Sequence, residues 1–406
     1  MKCSFCNKSY GSNALYFGGF KNSAICSNCV RLINSFPKQE DQNVYNIKDK
    51  KTLLTPSQIK KELDRYIIGQ DQAKKSMAVA IYNHYIRINQ NAYVDDSSNI
   101  EIEKSNICLL GPTGTGKTEI ARSIAKLLDV PFAIADATTL TQAGYVGEDI
   151  ESILTRVLQN CNYDVSRAEH SIIFIDEIDK IAKSTDNKSI TRDVSGEGVQ
   201  QGLLKMLEGT IAMVPPEGGR KHPEQKLIRI NTKNILFIVA GAFVGIDQIV
   251  KNRLNESSPK VQIGFGSVNV KKEEDDENLD KYLERVTPED LIKFGMIPEL
   301  IGRLPVITYT NHLSKTALKR IITEPENSIV KQYDSILGFS NCGLEITNGA
   351  LDAIVEKVDE LKTGARGIRS VFETLLADVL FEAPDQDKKE KFIYKIDKKF
   401  VDKKLK

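Results

Sequence analysis

The 406-residue sequence is defined first by what it lacks. No apolar run approaches the ~20 residues needed to span a bilayer, which excludes a transmembrane helix. Charge of one sign is not in excess: 56 Lys+Arg stand against 55 Asp+Glu. That balance excludes a protein that holds nucleic acid or an anionic membrane by a bulk positive field. There are four histidines and no Ser/His/Asp or Cys/His arrangement with supporting context, so intrinsic peptidase chemistry is not expected. The first residues, Met1 to Cys6, carry neither an apolar signal core nor an Arg- and Ser-rich transit pattern. The expected compartment is therefore cytosolic and reducing. What is present, 41% hydrophobic and 27% charged residues, fits a soluble globular protein. The length suggests roughly two to four domains with a sizeable core.

Cysteine is also sparse, at seven residues, but four of them form Cys3-x2-Cys6 and Cys26-x2-Cys29 with 19 residues between the pairs. Two such knuckles match a tetrahedral four-thiolate zinc site, closed and hence structural. Residues 1–35 are too few to build a core of their own, so the ion would supply much of their folding free energy. A reducing compartment disfavours the alternative of two disulfides. The module holds Lys2, Lys8, Lys21 and Arg31 but no acid, a charge too weak to imply nucleic acid. Its apolar residues, among them Tyr16, Phe17, Phe20 and Ile25, either pack around the metal or form a protein-binding or dimerising surface. Residues 36–52, with Pro37 and little hydrophobic periodicity, read as a linker.

The segment 53–310 reads as an α/β domain. Asn106–Leu110 is an apolar strand leading into Gly111-Pro112-Thr113-Gly114-Thr115-Gly116-Lys117-Thr118, an unbroken G-x-x-x-x-G-K-T loop. Ile120, Ile124, Leu127 and Leu128 then recur at helical spacing. Strand, glycine-rich loop and helix start come in the order needed to cradle ATP phosphates on backbone N–H groups. Lys117 would neutralise the β/γ oxygens, Thr118 would ligate Mg2+, and Glu119 completes the nucleotide-binding set. A second strand, Ile172–Ile175, delivers Asp176 to the Mg2+ shell and Glu177 to the attacking water. Ile235–Val239 and Phe132–Ile134 add further apolar runs. Runs without alternation suit a parallel sheet covered by helices on both faces.

The phosphate loop, the Ile-Asp-Glu-Ile-Asp-Lys strand end (Ile175–Lys180) and the four-cysteine module together resemble the ClpX family, the hexameric AAA+ unfoldase subunits of the Clp protease. The likeness runs from Cys3 to about Ile396. It implies a homohexameric ATPase ring that recognises tagged or unfolded substrates, sometimes through adaptors, and threads them into a ClpP-type peptidase. The compartment it implies is the bacterial cytoplasm, with an organelle matrix as the alternative. By the same resemblance, Ile67 and Ile68 in Tyr66–Gln70 lie beside the adenine, and Arg366 contacts the γ-phosphate in cis. Arg303 would reach the neighbouring subunit's nucleotide. Tyr145 and Val146 fall in the first pore loop, Arg192 in the second, and Arg220-Lys221-His222 in the substrate entrance loop. Ile263-Gly264-Phe265 would dock on the peptidase. Val239–Ala242 offers no polar side chain where many relatives carry Asn or Thr, so no first-sensor residue is assigned. HslU, which lacks the zinc module and carries a large inserted domain, fits less well.

Residues 311–406 read as a small, mostly helical lid. Ser314 can cap one helix, Pro325 begins another, and helices follow over Asn348–Leu361 and Gly364–Leu380. Phe392–Ile396 alternates as an edge strand. The charged run Lys271–Arg285 is expected to be an extended loop and the Lys-rich Asp387–Lys406 a solvated tail.

Overall fold

The computed structural model describes residues 3, 6, 16–18, 24–26, 29, 54–93, 102–141, 148–183, 196–216, 227–256, 276–385 and 392–405. The chain divides into two units, Met1–Thr52 and Leu53–Lys406. In the first, β1 (Tyr16–Gly18) and β2 (Ala24–Cys26) pair antiparallel, with Tyr16 opposite Cys26. Cys3, Cys26 and Cys29 are buried together, and Cys6 and Ile25 pack against them. The expected linker, 36–52, lies outside the described residues.

The second unit is built on a parallel sheet. β3 (Ile107–Leu110), β4 (Phe132–Asp136), β5 (Ile172–Asp176), β6 (Leu236–Gly241) and β7 (Val306–Tyr309) lie in the order β7-β3-β6-β5-β4. Every pairing is parallel. β3 and β6 are buried throughout and β5 is buried up to Asp176, as continuous apolar runs require. β4 departs from the expectation of two covered faces. It is the last strand of the sheet, its burial alternates, and Ile134 is left exposed. Five helices matter for the site: α1 (Pro56–Asp64), α2 (Asp71–Tyr93), α3 (Lys117–Leu127), α4 (Glu197–Glu208) and, within the charged run, α5 (Asp276–Leu283). α3 turns Ile120, Ala121, Ile124 and Ala125 inwards, which is why the periodicity after the loop reads as helical. A short α6 (Pro298–Gly302) precedes β7.

α5 corrects the expectation of an extended charged loop. Leu283 is buried, worth about 1.5–3 kcal/mol, and the Asp280 carboxylate accepts from the His312 backbone N–H at 3.1 Å. One anchored face is enough to make a charge-rich segment helical.

The C-terminal residues gather around a separate apolar cluster running from Leu318 to Val401. It is formed by α7 (Lys315–Thr323), α8 (Ile329–Gly338), β8 (Cys342–Ile346), α9 (Asn348–Glu360), α10 (Arg366–Glu382), β9 (Phe392–Ile396) and α11 (Lys398–Lys404). Ser314 caps α7 by accepting from Ala317 N at 3.2 Å. Pro325, by contrast, begins no helix: α8 starts at Ile329 with Ser328 as its cap, and Pro325 sits in the turn before it. The tail is likewise not simply solvated. β9 pairs parallel with β8, and α11 buries Val401 while its lysines face outward or half-outward. No helix among the described residues is long and apolar enough to cross a membrane.

Candidate active site

The carboxyl end of β3 opens directly into the phosphate loop. Two close approaches explain its glycines. A Cβ on Gly111 (φ +138) would meet Thr310 Oγ1 at 2.2 Å, and one on Gly114 (φ +75) would meet Thr363 O at 2.1 Å. Gly116, also at positive φ, precedes α3, and no side chain caps the helix start. The first N–H groups of α3 are thus left for an anion, reinforced by the helix dipole. Lys117 is buried at that start, and its ammonium donates to Gly111 O at 2.5 Å and Pro112 O at 2.8 Å. Burial pushes the Lys117 pKa down to about 8; the Asp176 charge opposes that shift and Arg366 adds to it. Among the described residues this buried ammonium is hydrogen-bonded by carbonyls of its own loop, and the phosphates of ATP would supply the negative charge it lacks there.

Thr118 Oγ1 donates to Asp176 Oδ2 at 3.3 Å, so the two groups assigned to Mg2+ are already neighbours. Asp176 Oδ1 accepts from Glu177 N at 3.0 Å. Glu177 itself is exposed and takes φ +56, a left-handed conformation that costs a non-glycine residue of order 1 kcal/mol and turns the chain sharply at the strand end. Arg366 lies 249 positions after Lys117 but lines the same cavity of about 540 Å³, together with Gly116, Thr118 and Glu119. The link is a backbone one: Ala365 N donates to Gly114 O at 2.9 Å, which pins the start of α10 to the phosphate loop. Ile67 and Ile68 are buried, and Tyr66 of the same segment lines an adjoining cavity of about 750 Å³ with Leu63, Ile321 and Ile368.

Three residues that sequence reasoning passed over tie this site together. Gln70 is buried and spans two elements, donating to Asn311 O at 2.8 Å and accepting from Asn311 N at 2.8 Å, with Thr115 O at 3.4 Å. Thr310, fully buried at the end of β7, shares a 2.7 Å hydrogen bond with the Thr115 hydroxyl. Asp179 is buried and accepts from Ala242 N at 3.2 Å. The tip of β6 therefore carries a carboxylate from a neighbouring turn in place of a polar side chain of its own. Two of them had a signal in the sequence: Gln70 in the Tyr66–Gln70 pentapeptide and Asp179 in the Ile175–Lys180 strand end.

Arg303 is not part of this cavity. Val306 pairs with Ile107 and Tyr309 with Leu110, so Arg303, three residues before Val306, lies at the amino end of the sheet. There its guanidinium meets Glu208 Oε1, from Nε at 3.1 Å and Nη2 at 2.9 Å. A cavity of about 340 Å³ beside the pair is lined by four basic residues (Arg87, Lys104, Lys233, Arg303) and two acids. Lys104, which donates to Thr232 O at 2.9 Å and lies over the Phe237 ring, has its pKa lowered to about 7 by burial and by Arg87.

In the N-terminal unit the four sulfurs of Cys3, Cys6, Cys26 and Cys29 lie within 4.8 Å of one another. Cys3–Cys29 and Cys6–Cys26 are each 3.9 Å apart. A tetrahedron with ~2.3 Å zinc–sulfur bonds has edges of about 3.8 Å, so the donor set and spacing fit zinc. Tyr145, Val146, Arg192, Arg220, Lys221, His222, Ile263, Gly264 and Phe265 lie outside the described residues.

Residues 102–307 match the AAA domain (Cdc48 subfamily) family, and residues 313–394 match the C-terminal D2-small domain of ClpB protein. Curated relatives extend the likeness over nearly the whole chain. The ATP-dependent Clp protease ATP-binding subunit ClpX of Bacteroides thetaiotaomicron is 51% identical over 397 residues, covering 96% of this chain and 92% of the relative. The protein of the same name from Treponema denticola is 50% identical over 399 residues, 98% and 93% of the two chains. That from Borrelia duttonii is 52% identical over 391 residues, 96% and 89%. A parallel sheet with an intact phosphate loop, a helical C-terminal portion and a four-cysteine cluster are thus joined to near-complete similarity. The chain is an AAA+ ATPase and belongs to the ClpX family of Clp ATP-binding subunits.

Proposed function

We propose that the protein is one subunit of a homohexameric ring that spends ATP hydrolysis on unfolding tagged proteins and threading them into a ClpP-type peptidase. The observation that carries the ring is the separation of Arg303 from Lys117. They lie at opposite ends of the sheet, with the four residues of β3, about 13 Å of strand, between the two edges. Arg303 cannot serve the subunit's own phosphate loop. It can serve that of a neighbour in a closed head-to-tail ring.

Within each site, Gly111–Lys117 would hold the phosphates, with Glu119 beside them, and Thr118 with Asp176 would hold Mg2+. The bound ion neutralises the β- and γ-oxygens. Glu177 would orient the attacking water and take its proton, Arg366 would contact the γ-phosphate in cis, and Arg303 would stabilise the spreading charge in trans. The base would lie near Ile67 and Ile68. Work on the substrate is assigned to Tyr145 and Val146, an aromatic–aliphatic grip indifferent to sequence, with Arg192 in the second pore loop. Arg220-Lys221-His222 would favour the carboxylate of a C-terminal tag. Ile263-Gly264-Phe265, apolar residues in a polar stretch, would dock on the peptidase, and the zinc module would be a folding unit that also meets partners. The bacterial cytoplasm is the compartment that fits.

The test is unfolding of a tagged fluorescent protein by the assembled protein with ATP. Tyr145→Ala should retain most ATPase activity and lose unfolding. Unfolding that survives the substitution would remove the grip from this residue.

A further inference from the structure

Arg303 follows a helix of only five residues, yet its surroundings are tightly fixed. Asn106, buried at the start of β3, donates through Nδ2 to Arg303 O at 3.0 Å and lies 3.4 Å from Leu207 O. Its Oδ1 accepts from Phe237 N in β6 at 3.3 Å. One buried amide thus sets the spacing between the backbone of Arg303 and that of Leu207, next to Glu208. Gln200 repeats the arrangement at the other end of α4. It donates to Ile181 O at 2.8 Å and accepts from Ile297 N, just before α6, at 2.8 Å. α4 is therefore braced against the arginine segment at both ends.

On that brace, Glu208 Oε1 takes the Nε and one Nη2 hydrogen of Arg303, which leaves three of the guanidinium's five N–H donors not directed at Glu208. The two side chains are 52% and 40% exposed, and an ion pair so open to water adds little to stability. What it does do is restrict a long, rotamer-rich side chain to one direction.

We propose that Glu208 is a positioning residue, which pre-orients Arg303 for the phosphate oxygens at the neighbouring subunit's site. The proposal rests on the trans role of Arg303 given above. Charge stabilisation of a transferred phosphoryl group falls steeply with misplacement, so the fixed direction has catalytic value.

Mixed rings of full-length chains separate the possibilities. In a ring of Glu177→Gln subunits (arginine donors only) and Arg303→Ala subunits (hydrolysing sites only), Glu208→Ala is placed in one partner at a time. Placed in the donor, it should lower the ATPase kcat by roughly 10-fold with KM for ATP unchanged. Placed in the hydrolysing partner, it should do nothing. Glu208→Gln in the donor, which keeps an acceptor oxygen, should lose less. A rise in kcat would mark the pair as a restraint on Arg303 and overturn the proposal, as would an equal loss in either partner or no loss in the donor. If the parent mixture itself has no activity, the trans role of Arg303 fails instead, and that result is visible before Glu208 is touched.

Discussion

The two ends of the central sheet are built on different terms. At the carboxyl end, the phosphate loop is shaped by main chain. Gly111 and Gly114 allow Thr310 and the Thr363 carbonyl to come closer than any Cβ would permit, and Ala365 N seals the contact through Gly114 O. At the amino end, Arg303 is aimed by side chains, Glu208 directly and Asn106 through two backbones. A binding cradle that must be ready before its anion arrives gains from backbone rigidity. A group proposed to reach across to another molecule, as Arg303 is, gains from a long side chain and a brace. On the proposed reading, one chain carries a nucleotide cradle at one end of its sheet and offers its arginine to a neighbour from the other.

Glycine substitutions should separate the two ends most sharply. Gly114→Ala places a Cβ 2.1 Å from Thr363 O at positive φ, so either the loop or the start of α10 must move. The expected result is a loss of about 2 kcal/mol or more in thermal stability and at least about 10-fold in ATP affinity, measured by calorimetry. Gly302→Ala, beside Arg303, meets open space at an ordinary φ and sits in a helix. It should leave stability unchanged or raise it by about 0.4–1 kcal/mol. Equal losses at both positions would remove the distinction between backbone-built and side-chain-built ends.

A smaller effect concerns two lysines, one at each end. Burial lowers Lys117 to about 8 and Lys104 to about 7 in the folded chain. Both lie below the unfolded value of about 10.4, so between roughly pH 7 and 10.4 the unfolded state binds more protons. These two groups therefore make stability rise with pH across that window, and their cost is fully present below it. A saturating ATP analogue should restore the Lys117 ammonium and take up protons at pH 8–9, erasing its part of the slope. The Lys104 part should remain. Proton release, or no exchange, on binding would contradict the placement of Lys117 against the phosphates.

The same contrast governs what could be read from sequence. Gly111–Thr118 and Asp176-Glu177 are contiguous, because a loop and a strand end each supply neighbouring groups, and the two cysteine knuckles are local for the same reason. Four of the five strands are legible as apolar runs, although the edge position of β4 opens one of its faces; β7 (Val306–Tyr309) is mostly half-buried, and its sequence does not mark it as a strand. Thr310, Asn106 and Glu208 meet their partners only after the chain has folded, at positions dozens to hundreds apart, and each is an ordinary polar residue in its own segment. Asp276–Leu283 and Lys398–Lys404 were hidden differently. Their charge points to solvent, while buried residues, Leu283 in the first and Val401 in the second, decide for helix.

The most direct measurement is the ATPase of rings mixed from Glu177→Gln and Arg303→Ala subunits. Each variant alone should be nearly inactive, the first lacking its base and the second lacking the neighbour's guanidinium. Random pairing makes about one in four interfaces complete, so the mixture should recover about a quarter of wild-type turnover. A mixture no more active than its components would contradict a site assembled from the carboxyl end of one sheet and the amino end of the next.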